Sequence, residues 1–275
     1  MTLTQDWIPV GALGEAFEPH ANLLPPAAGL SGKTLTLHLE NGWVIQLAFS
    51  AERTLEWSVR GAPAPREPTA DSGAIPCRVT EIRPQIYFVD FIDPSQRAST
   101  ASFVLDLARQ ICTVVLGYLP TATQAATPML ARIADGGELT GVNATFLSGA
   151  IDQPFTAATE KHRATTELIG QRIEYTYSPT ERYEHVYLND RMYTWHCLAG
   201  SEKGLADTDR CHYFSLAHHL YLFVWREKVV PTLGVVVVDL EQMKTTGKIF
   251  GYRDFDSGSL VNFPVGARAR VLGAV

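Results

Sequence analysis

The chain repeats itself. Gly32-Lys33-Thr34-Leu35 opens a run that ends at Trp57, and Gly170-Gln171-Arg172-Ile173 opens another that ends at Trp195. The two glycines and the two tryptophans each stand 138 positions apart (170 − 32 and 195 − 57), so the runs align without a gap, and Arg53 falls on Arg191. Farther along, Ile86-Tyr87-Phe88 lies over Leu220-Tyr221-Leu222, Leu105-Asp106-Leu107 over Val238-Asp239-Leu240, and Gly117-Tyr118 over Gly251-Tyr252. The shorter offset there means that a few residues are lost in a connecting loop. One order of Gly, Trp, Tyr, Asp-Leu and Gly-Tyr, met twice, marks a duplication and requires two similar folding units. At 275 residues the chain holds two domains of ordinary size.

Each copy reads as strands. Ile173–Tyr177, Tyr183–Leu188 and Met192–Leu198 are rich in aromatic and β-branched residues, with Ser178-Pro179-Thr180 and Asn189-Asp190 as turns between them. Asn41-Gly42 supplies a turn in the first copy. Further strands are expected at Cys211–Leu216, Leu220–Glu227, Gly234–Asp239 and Gly247–Gly251. Short consecutive strands without long helices between them predict antiparallel sheet, and closure into a barrel of about eight strands removes the exposed edges. Helices are minor: Asp6–Ala16 before the prolines, and Gln124–Ala134 leading to a last strand near Leu139–Leu147. The expected organisation is an N-terminal extension (1–30), a first barrel (31–150), a linker (151–168) and a second barrel (169–275). The fold class is all-β.

Composition narrows the function classes. The net charge of −6, without any Lys/Arg block, argues against nucleic acid. The longest apolar run, Val235–Val238 and its neighbours, is strand-sized, which argues against a membrane span. Met1–Glu18 carries Asp6 and Glu15 and no basic leader, so a cytoplasmic protein is expected. Cys77, Cys112, Cys197 and Cys211 lack metal-ligand spacing and read as reduced, packed thiols, with no metal expected. No phosphate-loop or dinucleotide fingerprint occurs, and no cofactor is expected.

The second half contains Tyr183-Glu184-His185-Val186-Tyr187-Leu188-Asn189, Tyr193-Thr194-Trp195-His196-Cys197-Leu198 and Glu202-Lys203-Gly204-Leu205-Ala206-Asp207-Thr208-Asp209-Arg210-Cys211. Val224-Trp225-Arg226-Glu227-Lys228, Val230-Pro231-Thr232-Leu233-Gly234 and Asn262-Phe263-Pro264-Val265-Gly266 complete the set. These stretches resemble the MoaF family, usually labelled molybdenum cofactor biosynthesis protein F. The resemblance implies two tandem calycin, or lipocalin-like, barrels. The second copy also resembles, more distantly, the bacterial phenolic acid decarboxylases, single calycin barrels that need no cofactor. The shared layout is Gly170-x-Arg172, Tyr175-Thr176-Tyr177, Tyr183-Glu184, Asn189-Asp190 and Trp225 followed by Glu227, with Glu40-Asn41-Gly42-Trp43 in the first copy. In that family two tyrosines grip the substrate carboxylate and an Arg–Glu pair completes the site. The resemblance places Tyr175, Tyr177 and Glu227 in those roles. It puts His196, a weaker and pH-dependent carboxylate partner, where the arginine belongs.

Strand parity offers an independent reading, because alternate residues face opposite sides. Tyr221, Phe223, Trp225 and Glu227 share one face, and Ile173, Tyr175 and Tyr177 share one face of the opening strand. Turned inward, these residues form an aromatic cage with one carboxylate. Glu227 in an apolar barrel suits a general acid, or else pairs with Arg226, Lys228 or Arg210 at the mouth. His196 is a proton-transfer partner or a rim residue bonded to Thr194. His185 contacts ligand or is a satisfied core residue. Asp207, Asp209 and Arg210 clamp a ligand from a loop over Glu202–His212 or form a network with Lys203. The catalytic candidates are thus Glu227, His196, Tyr175 and Tyr177, and the ligand-binding candidates Tyr183, His185, Trp195, Asp207, Arg210, Tyr221 and Trp225. The expected function is binding of a small polar aromatic or heterocyclic molecule in the second barrel, as a cofactor-independent lyase or isomerase. The alternative is a non-catalytic carrier or accessory factor in molybdenum cofactor biosynthesis. The expected partners are that small molecule and, for assembly, a homodimer. The first copy, with Leu35, Leu37 and Leu39 on its opening strand, is expected to be a quieter scaffold.

Overall fold

The computed structural model describes residues 7–18, 20–50, 53–61, 72–94 and 97–274. These form two units, each built on an antiparallel barrel. One unit takes the described residues of Leu24–Tyr118 and Ala144–His162. Its strands are β1 (Thr34–Leu39), β2 (Val44–Phe49), β3 (Thr54–Arg60), β4 (Ser72–Pro76), β5 (Arg78–Arg83), β6 (Ile86–Ile92), β7 (Ser99–Asp106), β8 (Ile111–Tyr118) and β9 (Asn143–Ile151). They pair in the order β4-β3-β2-β1-β9-β8-β7-β6-β5.

The other unit takes the described residues up to Leu23, Leu119–Asn143, and Arg163 onward. It holds the helices α1 (Val10–Phe17), α2 (Ala122–Ala126) and α3 (Met129–Ala134). Its strands are β10 (Arg163–Ala164), β11 (Gln171–Thr176), β12 (Arg182–Tyr187), β13 (Met192–Ala199), β14 (Ala206–Ala217), β15 (Leu220–Arg226), β16 (Thr232–Asp239), β17 (Lys244–Tyr252) and β18 (Leu260–Ala274). The order is β10-β14-β13-β12-β11-β18-β17-β16-β15, and β15 returns to β14, closing an eight-stranded ring from β11 to β18.

The duplication is visible in the backbone. Gly32 and Gly170 both take positive φ, +74° and +82°, just before the opening strand, where a side chain would be strained. Their amides bond to Phe49 O and Tyr187 O, which occupy equivalent positions. Cys77 N donates to Arg53 O at 3.1 Å and Cys211 N to Arg191 O at 2.9 Å. Around Cys211 a single long strand serves both neighbours, pairing with β13 up to Arg210 and with β15 from Arg210 onward. Around Cys77 the same path is divided into β4 and β5.

Several local expectations shift. The strand expected near Leu139–Leu147 starts at Asn143 and runs to Ile151. The helical span Gln124–Ala134 is two short helices, because Pro128 cannot continue α2, which begins with a Thr121–Gln124 capping box. The first helix is Val10–Phe17, and Asp6 lies outside the described residues. Glu202–His212 is not one loop: β14 begins at Ala206, so Asp207, Asp209 and Arg210 stand on a strand. The 15-residue β18 went unread. Among the described residues no helix is long and apolar enough to cross a membrane.

Candidate functional site

Alternation on β11 to β15 decides which side chains enter the C-terminal barrel. Tyr193, Trp195 and Cys197 of β13 are buried while Thr194, His196 and Leu198 between them are partly exposed. Tyr183, His185 and Tyr187 of β12 point inward with them, as do Asp209, Cys211 and Tyr213 of β14. Tyr221, Phe223 and Trp225 supply the β15 wall. Trp225 lies flat across its cross-strand partner Gly234, where a Cβ would meet the indole at 2.1 Å, so only glycine admits the ring there.

Deeper in the barrel, polar groups bond to one another. Tyr175 and Tyr187 hydroxyls are 2.6 Å apart, and Cys211 Sγ lies 2.8 Å from the Tyr213 hydroxyl. Tyr213 and Phe223 stack at 5.6 Å, and Phe223 and Trp225 at 5.3 Å. Tyr221 faces inward but donates its hydroxyl to Glu167 at 2.7 Å, six residues along the strand from Glu227.

The mouth is acidic. Trp225 Nε1 donates to Glu227 Oε1 at 2.8 Å and Trp195 Nε1 donates to Asp209 Oδ2 at 3.0 Å. Tyr183 donates its hydroxyl to Glu202 Oε2 at 3.0 Å. Lys228 serves the acids of β14: its Nζ bonds Asp207, lies 3.5 Å from Asp209 Oδ1, and donates to Thr208 O at 2.7 Å. Burial pushes the Glu227 carboxyl well above the ordinary value, and the neighbouring Asp209, Glu202 and Asp207 push it further, against the Trp225 hydrogen bond. Asp209 and Glu202 are raised for the same first reason, with Lys228 opposing the rise at Asp209 and Tyr183 at Glu202. Carboxyl groups so close and so desolvated, with one ammonium bonded among them, hold their protons more tightly than solvated acids do.

Two further segments of the same unit position this mouth. Phe17 of α1 packs on Tyr177 at 4.8 Å and on Tyr183 at 5.8 Å, and Trp7 meets Trp195 edge-on at 5.9 Å. Asn22 bonds to Thr176 O and Tyr177 O, fixing the chain that leads away. On the outer side, Thr140 Oγ1 donates to Glu227 O at 2.7 Å, and Arg226 reaches Val142 O and Glu138. A cleft of about 440 Å³ lies beside this strap, with Lys228, Val229, Pro231, Arg132, Tyr252 and Phe255 among its walls.

The predicted site residues therefore separate into three groups. Glu227, Tyr177, Tyr183, Trp195, Trp225 and Asp207 gather at the mouth with Asp209. Tyr175 and His185 lie deeper, and Tyr221 lies at the other end. His196 and Arg210 are on the outer face, the correction that parity demands once Trp195 and Cys211 point in. His196 Nδ1 stands 4.0 Å from Glu184 Oε2 and its side chain is 45% exposed, so it does not meet Glu227. Arg210 shares Glu138 with Arg226. The pairing of Glu227 with a neighbouring base is replaced by its bond to Trp225. Sequence reasoning missed Glu202, Trp7 and Phe17, and it offered Lys228 to Glu227, whereas Lys228 bonds Asp207 and Thr208 O. Parity puts Lys228 on the outer face with Arg226, and it reaches the acids because β15 ends at Arg226; the spacing of Val10, Leu13 and Phe17 on one helical face was the signal for the helix.

A family model described as the MoaF N-terminal domain matches residues 5–121, and one described as the MoaF C-terminal domain matches residues 162–275. The chain is 45% identical over 276 residues to Protein MoaF of Klebsiella aerogenes, an alignment covering 99% of this chain and 97% of that protein. A solved structure of a proposed beta-lactamase from Burkholderia vietnamiensis is 14% identical over 39% of this chain and 97% of its own, with a TM-score of 0.33. With both family models matched in order and this identity sustained along nearly its whole length, the chain belongs to the MoaF family.

Proposed function

We propose that the C-terminal barrel binds a small, flat, uncharged heteroaromatic molecule without transforming it, as a carrier or accessory factor of the kind the family's molybdenum cofactor label implies. The observation that carries this reading is the acidic, aromatic mouth formed by Glu227, Asp209, Trp195 and Trp225. Indole and phenol rings supply flat contact area, and carboxyl groups held among them select N–H donors. A 2-aminopyrimidinone edge, as in pterins, presents two parallel N–H donors that match one carboxylate. No arginine stands where the decarboxylase-like layout needs one, because His196 holds that place and lies on the outer face. This favours the carrier over turnover of a hydroxycinnamic acid.

The test is a titration of the purified protein with neutral pterin and with 4-hydroxycinnamate, followed by tryptophan quenching and by chromatography of the ligand. Saturable quenching by pterin with the pterin recovered intact supports the carrier. Consumption of 4-hydroxycinnamate, lost in the Glu227→Gln variant, supports the second reading, a cofactor-independent lyase or isomerase using Glu227 as general acid, for which the raised carboxyl is the specific support. No quenching by either compound refutes both.

A further inference from the structure

We infer that His185 is a ligand-recognition residue inside the C-terminal barrel, and that the bound molecule carries a hydrogen-bonding ring atom at its buried end as well as donors at the mouth. This rests on the binding function proposed above and narrows its ligand. His185 is 4% exposed and stands among rings: Tyr175 at 4.8 Å, Tyr193 at 5.2 Å, Phe223 at 5.8 Å, Trp225 at 6.0 Å and Tyr187 at 6.2 Å, centroid to centroid. Its Nδ1 is buried and has no hydrogen-bond partner among the described residues. The Tyr175 and Tyr187 hydroxyls, 2.6 Å from each other, do not bond it. Burial also holds the imidazole neutral, with its pKa lowered to about 3, so the ring offers one donor and one acceptor at neutral pH.

The other copy shows that the fold does not ask for this residue. The equivalent position in the N-terminal barrel, 138 residues earlier, is Leu47, which is fully buried in an apolar core. A barrel of this design therefore closes well around leucine. A buried polar atom left unpaired opposes folding, and a position that keeps one where leucine suffices keeps it for something other than stability. A molecule reaching past Trp225 with a ring nitrogen, N–H or carbonyl at its inner edge would complete the bond, whereas one ending in a bare hydrocarbon ring would leave it open.

The test uses the full chain and the His185→Leu variant, melted without ligand and titrated with neutral pterin. The expected result is a melting temperature raised by about 2–4 °C, as removal of an unpaired polar group predicts, with pterin affinity reduced about tenfold or more. A second comparison in the wild type, 4-hydroxycinnamamide against cinnamamide, is expected to favour the hydroxylated ring. A variant that melts lower than the parent makes His185 structural and overturns the inference, as does a variant that binds pterin unchanged. A wild type that binds neither pterin nor the amides instead refutes the binding function itself.

Discussion

Replacing Glu227 by Gln tests whether its carboxyl group truly faces the barrel mouth. Glutamine keeps an oxygen to accept the Trp225 indole N–H and matches the shape of the acid, so packing is conserved while the titration is deleted. An unfolded glutamate titrates near pH ~4.3, and the native group titrates well above this because it is desolvated and surrounded by Asp209, Glu202 and Asp207. A carboxyl raised in the native state contributes its full stability below the unfolded value and loses it as pH rises toward the native one. Within that window the native state binds one proton more than the unfolded chain, so stability falls by up to about 1.4 kcal/mol per pH unit. The variant lacks this slope. Urea unfolding followed by tryptophan emission at pH 5, 6, 7 and 8 should show the variant gaining on the parent by up to that amount per unit. Two parallel pH profiles would mean that Glu227 titrates as a solvated side chain, and the reading of the mouth would fail.

Two other substitutions probe the boundaries of the site. His196→Ala should change stability by less than about 0.5 kcal/mol and leave pterin titration unaltered, because the side chain lies on the outer face beside Glu184; a large loss of binding would restore it to the site. Phe17→Ala should cost about 3–5 kcal/mol, measured by chemical denaturation, because Phe17 is 4% exposed and packs on Tyr177, Tyr183 and Phe263; a change below about 1 kcal/mol would mean that α1 is not part of the barrel's core.

Much of the fold was legible because duplication imposes order on a weak signal. Gly170 and the Gly251-Tyr252 pair marked where strands begin and end, and alternation on β11 and β15 assigned their faces. The long β14 was misread because its first half, Asp207 to Arg210, is polar. Polarity there reflects an acidic lumen on one face and the Arg210–Glu138 contact on the other, and charge patterning cannot separate that from a loop. His196 was placed in the site by family layout against the parity of its own strand, and parity prevailed. Phe17 was hidden because it lies more than 150 positions from Tyr177 and Tyr183 and outside the repeated segment. Glu202 was hidden because it acts from a turn, where no face is defined, and only the Tyr183 hydroxyl reveals its direction.

The two copies act as controls for each other, because equivalent backbone carries different interiors. Trp195 and Trp57 occupy one repeat position, and both are buried. Trp195 donates to Asp209, whereas Ile75 stands at the place of Asp209 and leaves Trp57 Nε1 without a hydrogen-bond partner among the described residues. Tyr193 has Leu55 as its counterpart and Tyr175 has Leu37, each buried in its own barrel. The N-terminal copy therefore fills its interior chiefly with leucine, isoleucine and phenylalanine, with Trp57 Nε1 left unpaired among the described residues. The C-terminal copy sets acids with raised pKa values and a partnerless imidazole among its aromatics, which folding alone disfavours. Selection for stability would have driven both interiors toward the leucine-rich solution. The clustered acids and the unpaired imidazole stand in the C-terminal copy, which is the distribution expected if that barrel retains a ligand and the other retains the fold.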